Sequence, residues 1–254
     1  MSLPRNVQRR AIVNALLLAT AIAGSGLAGA AHAGPNGNAK ILIHLSRADK
    51  VMPCTHPALR PPCEGIVTTA TWAGGGFYHC PLLVTDGNAA AGVAGLSCGI
   101  DYSAADLFIQ FGSCAEGYTS YSGPNGSWPT PGSGILLDWD PQLTGCQTYE
   151  PGGAGTGVVA IAGAFYITPY ADSGGPSAVI AVTPHPQSGQ ATVASCSGDI
   201  DVVETTGSPN SPYRLGSVGI SLDGNTQGYN PCGQIVAVAP ATWSAVKSLG
   251  RSGN

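Results

Sequence analysis

Polar and apolar residues alternate along most of this chain. In "AKILIHLS", Ile41, Ile43 and Leu45 fall on one side, and Lys40, Leu42 and His44 on the other. A period of two predicts a strand with one buried face and places His44 at the surface. The same pattern recurs in "GIVTTATWAG", "FYHCPLLVTDGN", "AGVAGLSCGIDYS", "ADLFIQFGS", "ILLDWD", "SAVIAVTP", "ATVASCS", "DIDVVE", "LGSVGISLDGN" and "GQIVAVAP". "TGVVAIAGAFYITPY" is the longest apolar run and is predicted to be a central strand. Pro81 cannot donate to a ladder, which predicts an edge position for its strand. Gly74-Gly75-Gly76 and Asp86-Gly87 read as turns, the second of hairpin type. About eleven strands punctuated this way predict an all-β fold, an antiparallel β-sandwich. Only "PATWSAVKSLGR" has a helical pattern, with Trp243, Val246 and Leu249 at three-residue spacing, and it predicts a short C-terminal helix.

The N-terminus changes the picture of where this sandwich works. Arg5, Arg9 and Arg10 precede an Ala- and Leu-rich apolar run that ends in "AHA". That order predicts a secretory signal peptide over residues 1–33, cut after Ala33, and a single domain over 34–254. No second long apolar segment follows, so no transmembrane segment is expected in the mature chain. With three of the ten basic residues in the leader, seven remain against fourteen acidic ones. Such a balance disfavours nucleic acid and anionic membranes as partners.

Export in turn gives the cysteines a meaning. Cys54, Cys63, Cys80, Cys98, Cys114, Cys146, Cys196 and Cys232 all lie after the leader, with no Cys-x-x-Cys among them. An even number in an exported chain predicts four disulfides, so the sandwich is expected to be disulfide-stapled. Nearest-neighbour pairing gives 54–63, 80–98, 114–146 and 196–232. Cys80 and Cys98 share the apolar side of successive strands, which motivates their pairing.

"ADSGGP" at residues 171–176 resembles the nucleophile motif of trypsin-like serine proteases. The resemblance implies a triad of His79, Asp106 and Ser173, in the chain order of that family. The chemistry needs an imidazole to take the serine proton, a carboxylate to orient it, and backbone N–H groups for the oxyanion. Three departures weigh against it. Phe77 and Tyr78 stand where small residues precede the histidine, Ala171 replaces the first motif glycine, and "SAVIAVTPHPQSGQATVASC" reads as a plain hairpin. Asp, Ser, Gly and Pro are also turn residues in their own right.

Other chemistry is thinner. Asp138/Asp140 and Asp199/Asp201 each share a strand face, which reads as a solvated edge because no calcium-loop pattern accompanies them. "EPGGAGTG" lacks the lysine of a phosphate loop, and Asn125 opens a formal glycosylation sequon. Neither a metal nor a cofactor is expected. Residues 115–134 read as a long polar loop in which Tyr118, Tyr121 and Trp128 could stack on a sugar or anchor a protein. The alternative is that Trp128 tucks beneath the loop.

"AGVAGLSCGIDYSAADL" resembles a strand-and-corner segment of cohesin-like secreted β-sandwiches. The mature chain also resembles secreted bacterial proteins that carry similar "EPGGAGTGV" and "TWSAVKSL" phrases. These likenesses imply export and a β-rich fold. The reading preferred from sequence is a secreted, non-enzymatic extracellular or cell-surface protein with an interaction or structural role, its partner an extracellular protein or glycan. A serine endopeptidase is the first rival and a carbohydrate-binding module the second.

Overall fold

Strands with one apolar face must bury it, and two such sheets packed face to face form a sandwich. The computed structural model has that architecture. It describes residues 34–48, 50–72, 76–115, 117–122, 128–140, 145–149, 157–170, 177–207 and 214–233. The leader, Gly74-Gly75, Asn125, most of "EPGGAGTG", Ser173, "GQIVAVAP" beyond Gly233 and the expected C-terminal helix lie outside the described residues.

Thirteen strands occur among the described residues. Five make the smaller sheet: β1 (Lys40–Ile43), β2 (Arg47–Ala48), β4 (Phe77–Thr85), β6 (Leu107–Ser113) and β9 (Val158–Pro169). Eight make the larger: β3 (Thr69–Thr71), β5 (Gly95–Tyr102), β7 (Thr119–Ser122), β8 (Ser133–Asp138), β10 (Ser177–Thr183), β11 (Gln190–Ala194), β12 (Ile200–Thr205) and β13 (Ser217–Ser221). Pairing is antiparallel apart from β3 beside β13. Between the sheets lie Leu82, Val84, Phe165 and Ile167 from one side and Leu96, Ile100, Ile135 and Val193 from the other. Each such buried side chain contributes about 1.5–3 kcal/mol. The expected central strand is observed: β9 lies between β4 and β6.

The chain changes sheet at most connections, and this overturns several local readings. Of the successive strands, only β7–β8 and β11–β12 form hairpins. Asp86, at φ 54°, leads from β4 in one sheet toward β5 in the other, so Asp86-Gly87 is a corner rather than a hairpin turn. "SAVIAVTPHPQSGQATVASC" is not a hairpin either. β10 and β11 lie end to end along one side of β5, with β8 along the other.

Pro81 also departs from expectation, because β4 is interior, flanked by β1 and β9. His79 N–H donates toward Ser46 and the Pro81 carbonyl accepts from His44. By strand alternation the missing N–H of Pro81 therefore faces the break between β1 and β2, where the ladder is already interrupted. Residues 115–134 are not wholly loop, since β7 lies within them.

The β1–β4–β9 part of the smaller sheet is buried on both faces, while β6 leaves Phe108 exposed. Leu42, Leu83 and Ile161 on its outer side pack with Leu59, Ile66 and Cys232. The Pro-rich segment after β2 supplies this cover. His44 is consequently buried rather than exposed, and its Nδ1 accepts from Val67 N–H at 2.9 Å.

Three disulfides are formed among the described residues: Cys54–Cys114, Cys63–Cys232 and Cys146–Cys196. None of the nearest-neighbour pairs occurs. Cys80 and Cys98 are buried free thiols, and burial pushes both up to about 12. They do face one core, but from opposite sheets; the sheet changes separate cysteines that are close in sequence. Two of the three bridges hold the Pro-rich segment, one to the end of β6 and one to the segment after β13.

Candidate interaction site

The protease constellation is testable residue by residue. His79 lies on β4 opposite Tyr166, which in turn faces Gln110 on β6. Asp106 is four residues before Gln110, so two strand spacings and four residue rises set it on the order of 15 Å from His79. His79 Nδ1 accepts a hydrogen bond from Met52 N–H at 3.1 Å. A triad histidine must instead donate from Nδ1 to its carboxylate. Burial lowers the affinity of His79 for a proton, and nearby His56 lowers it further. Ser173 lies outside the described residues.

A serine–histidine contact does exist elsewhere. Ser122 Oγ lies 2.8 Å from His185 Nε2, both buried. His185 Nδ1 accepts from Gln187 N–H at 3.3 Å, so the hydrogen sits on Nε2 and is donated to the serine oxygen. A histidine in that tautomer cannot take the serine proton. The pair is a fastening: the segment between β10 and β11 crosses the outer face of the larger sheet and is tied to β7. Gly134 on β8 allows the crossing, since a Cβ there would lie 2.5 Å from His185 Cδ2 and 2.6 Å from Pro186 Cδ.

Asp86 is a second polar centre. Its carboxylate pairs with Lys40 and accepts from Gly157 N–H at 3.3 Å and Gly233 N–H at 2.9 Å. Cys63 Sγ is 3.7 Å from Oδ1. Cys63, Asp86 and Cys232 bring ligand atoms within 4.8 Å of one another, but the two sulfurs are bonded to each other and offer no thiolate. This corner joins β1, β4, β9 and the segment after β13; it is structural.

The three loop aromatics do not form one platform. Trp128 is 8% exposed and packs against Phe111 and Phe165, with ring centroids 5.6 and 5.4 Å apart. Tyr118 and Tyr121 are exposed but, three residues apart on β7 and its approach, point to opposite faces. The Asp199/Asp201 pair separates: Asp201 is buried, whereas Asp199 is exposed and accepts from Ser197 in the β11–β12 turn.

What does assemble is a shallow trough on the outer face of the larger sheet. Register places Leu136, Ser97, Thr192 and Val202 in one row across β8, β5, β11 and β12. The next row holds Asp138, Gly95, Ala194 and Ile200, with Tyr118 beside Asp138. The floor is small: Gly95, Ser97, Thr192 and Ala194. The walls are large and exposed: Tyr118 and Leu136 on one side, Val202 and Ile200 on the other, the last 69% exposed. Leu136 and Val202 stand three strand spacings apart, about 14 Å. The His185 crossing closes one end.

No protein-family model matches the chain, and no curated protein does. Among solved structures, a cohesin module from the family 33 glycoside hydrolase of Clostridium perfringens ATCC13124 is similar. The likeness has a TM-score of 0.36 and 14% identity, over 71% of this chain and 96% of that one. It extends no further than a β-sandwich outline, so the trough stands on its own geometry.

Small residues on a strand give no sequence signal, so the trough is not among the candidates read from the chain. One clue is present: in "DIDVVE" the outward side carries Ile200 and Val202, while Asp201 turns inward. No helix among the described residues is long and apolar enough to cross a membrane.

Proposed function

We propose that this chain is exported, released from its leader near Ala33, and acts outside the cell or at its surface as a non-enzymatic interaction module. Its contact surface is the trough on the larger sheet, and its partner is a protein with an apolar ridge. The observation that carries this is the pairing of a small-residue floor with two walls made of four large exposed side chains. Scattered exposed apolar residues are ordinary, whereas a contiguous set around a recess marks a binding surface. A glycan-binding role has less support, since Trp128 belongs to the core and the two tyrosines diverge. An endopeptidase role has less still, because His79 is held in the wrong tautomer and far from Asp106.

A photo-reactive benzoylphenylalanine placed at Leu136 or Val202 in the producing cells is expected to form a covalent adduct with a partner. The same group at Phe108, exposed on the smaller sheet, is expected to form none. Equal labelling at both faces, or none at either, contradicts the reading. A fluorophosphonate probe that labels the protein, and no longer does so after Ser173→Ala, would establish the endopeptidase instead.

A further inference from the structure

Asp201 is an acid on the inward side of an edge strand. Its residue is 4% exposed, and a buried carboxylate is costly unless it is bonded and paired. Oδ2 accepts from Asn36 N–H at 2.8 Å. Among the described residues no cationic side chain pairs with it. What stands against the carboxylate is Gly34. A Cβ on Gly34 would lie 2.6 Å from Oδ1, 2.8 Å from Oδ2 and 3.0 Å from Cγ. The Gly34 nitrogen is bonded to that same Cα, which puts it within roughly 5 Å of both oxygens.

The turn that presents Gly34 is firmly held. Gly37 N–H donates to the Gly34 carbonyl at 3.0 Å. Asn36, fully buried, donates to the Gly92 carbonyl at 2.9 Å and accepts from Asn88 N–H at 2.8 Å. Arg214 donates to the Gly37 carbonyl. An anionic recess is thus fixed beside the first residue after the expected cut.

We propose that Asp201, with Asn36, is a binding site for a primary ammonium group, and that its ligand is the chain's own new N-terminus; this rests on the export reading above. Hydrolysis of the Ala33–Gly34 amide adds the oxygen of one water to the Ala33 carbonyl as a carboxylate. Both hydrogens of that water go to the Gly34 nitrogen, which becomes –NH₃⁺. A neutral amide is thereby replaced by a cation next to a buried acid that no cationic side chain of the described residues neutralises. Glycine suits position 34, since a Cβ there would press on the carboxylate unless the Asp201 side chain shifted. Removal of the leader thus gives Asp201 a counter-ion, so the cut chain is more stable than the uncut one.

N-terminal sequencing of the exported protein tests the boundary by itself; a terminus other than Gly34 overturns the export boundary without touching the site. The site is tested on disulfide-bonded protein made to begin at Gly34, with its α-amine free or acetylated, in the native and Asp201→Asn backgrounds. The amide of the variant keeps the acceptor for Asn36, removes the charge and turns the second oxygen into an N–H donor. In the native background the free amine is expected to raise Tm by roughly 3–6 °C over the acetylated form, and in the Asp201→Asn background by about nothing. Equal Tm values in the native background, or the same difference in both backgrounds, overturn the proposal. Should Asp201→Asn fail to fold, acylation of the Gly34 amine decides. It is expected to be at least about tenfold slower in the native protein than in the reduced, unfolded chain, and equal rates overturn the proposal.

Discussion

The two outer faces of this sandwich are treated in opposite ways. The outer face of the smaller sheet is covered over β1, β4 and β9 by the Pro-rich segment, which brings Leu59 and Ile66 onto Leu42, Leu83 and Ile161 and is anchored by two disulfides. The outer face of the larger sheet carries exposed apolar side chains along both sides of a floor in which Thr192 and Ala194 are half-buried and Gly95 and Ser97 lie buried beneath them. A sheet face can be apolar because it is covered or because it meets a partner. In this chain the first explanation serves one face; the second is the one proposed for the other.

The largest expected effect comes from uncovering the sealed face. Replacing Cys63 and Cys232 together by Ser opens a link that spans 169 residues, and the chain-entropy model puts the loss at about 5 kcal/mol. Urea unfolding of the otherwise oxidised protein measures it. Proteolysis is then expected first within 50–66. Cleavage in β11 or β12 instead would mean that the two faces are not independently held.

Acid sharpens the same contrast. Burial lowers His44 to about 4, from the ordinary 6.5 of an unfolded imidazole. Between those values the unfolded chain binds a proton that the folded chain refuses. Stability is therefore full above about pH 7 and falls as pH drops, by about 3 kcal/mol at pH 4. His44→Gln is expected to flatten that part of the curve. Burial lowers His185 as well, with the same sign, and its fastening is on the outer face of the larger sheet. Loss of hydrogen-exchange protection in β7 upon acidification, with a pH dependence that His185→Gln removes, reports it separately.

Two glycines give a smaller test. Gly134→Ala drives a methyl group into His185 and Pro186 and is expected to cost about 1–3 kcal/mol. Gly112→Ala on β6 meets nothing within 4 Å and is expected to stay within about 0.5 kcal/mol. The least effect on stability is expected for Leu136→Lys, also within about 0.5 kcal/mol, although it removes a wall of the trough. Denaturant midpoints order all three.

Much of the strand content is legible because period two reports directly which side chains share a face. "SAVIAVT" and "QATVA" form β10 and β11 with Ala178, Ile180, Ala191 and Val193 inward. Period two does not say which sheet a strand joins. That gap explains the false hairpin at Asp86-Gly87 and the four misassigned cysteine pairs. Nor does it say what covers the second face, so His44 on β1 reads as solvated. Pro81 misleads because its missing donor is weighed against a continuous neighbour, whereas β1 and β2 break beside it. Of the binding candidates, Tyr118 is exposed and belongs to the trough wall, while Trp128 joins the core. The floor is invisible, since Gly, Ser, Thr and Ala on alternate positions look the same in any strand.

The most direct test of the proposed contact face is a hydroxyl-radical footprint taken on the protein in the culture that produces it and again after purification. Tyr118, Leu136, Ile200 and Val202 are expected to be protected in place and reactive when isolated, while Phe108 and Tyr170 react alike in both. Equal reactivity of the four wall residues in the two states would contradict a partner on this face.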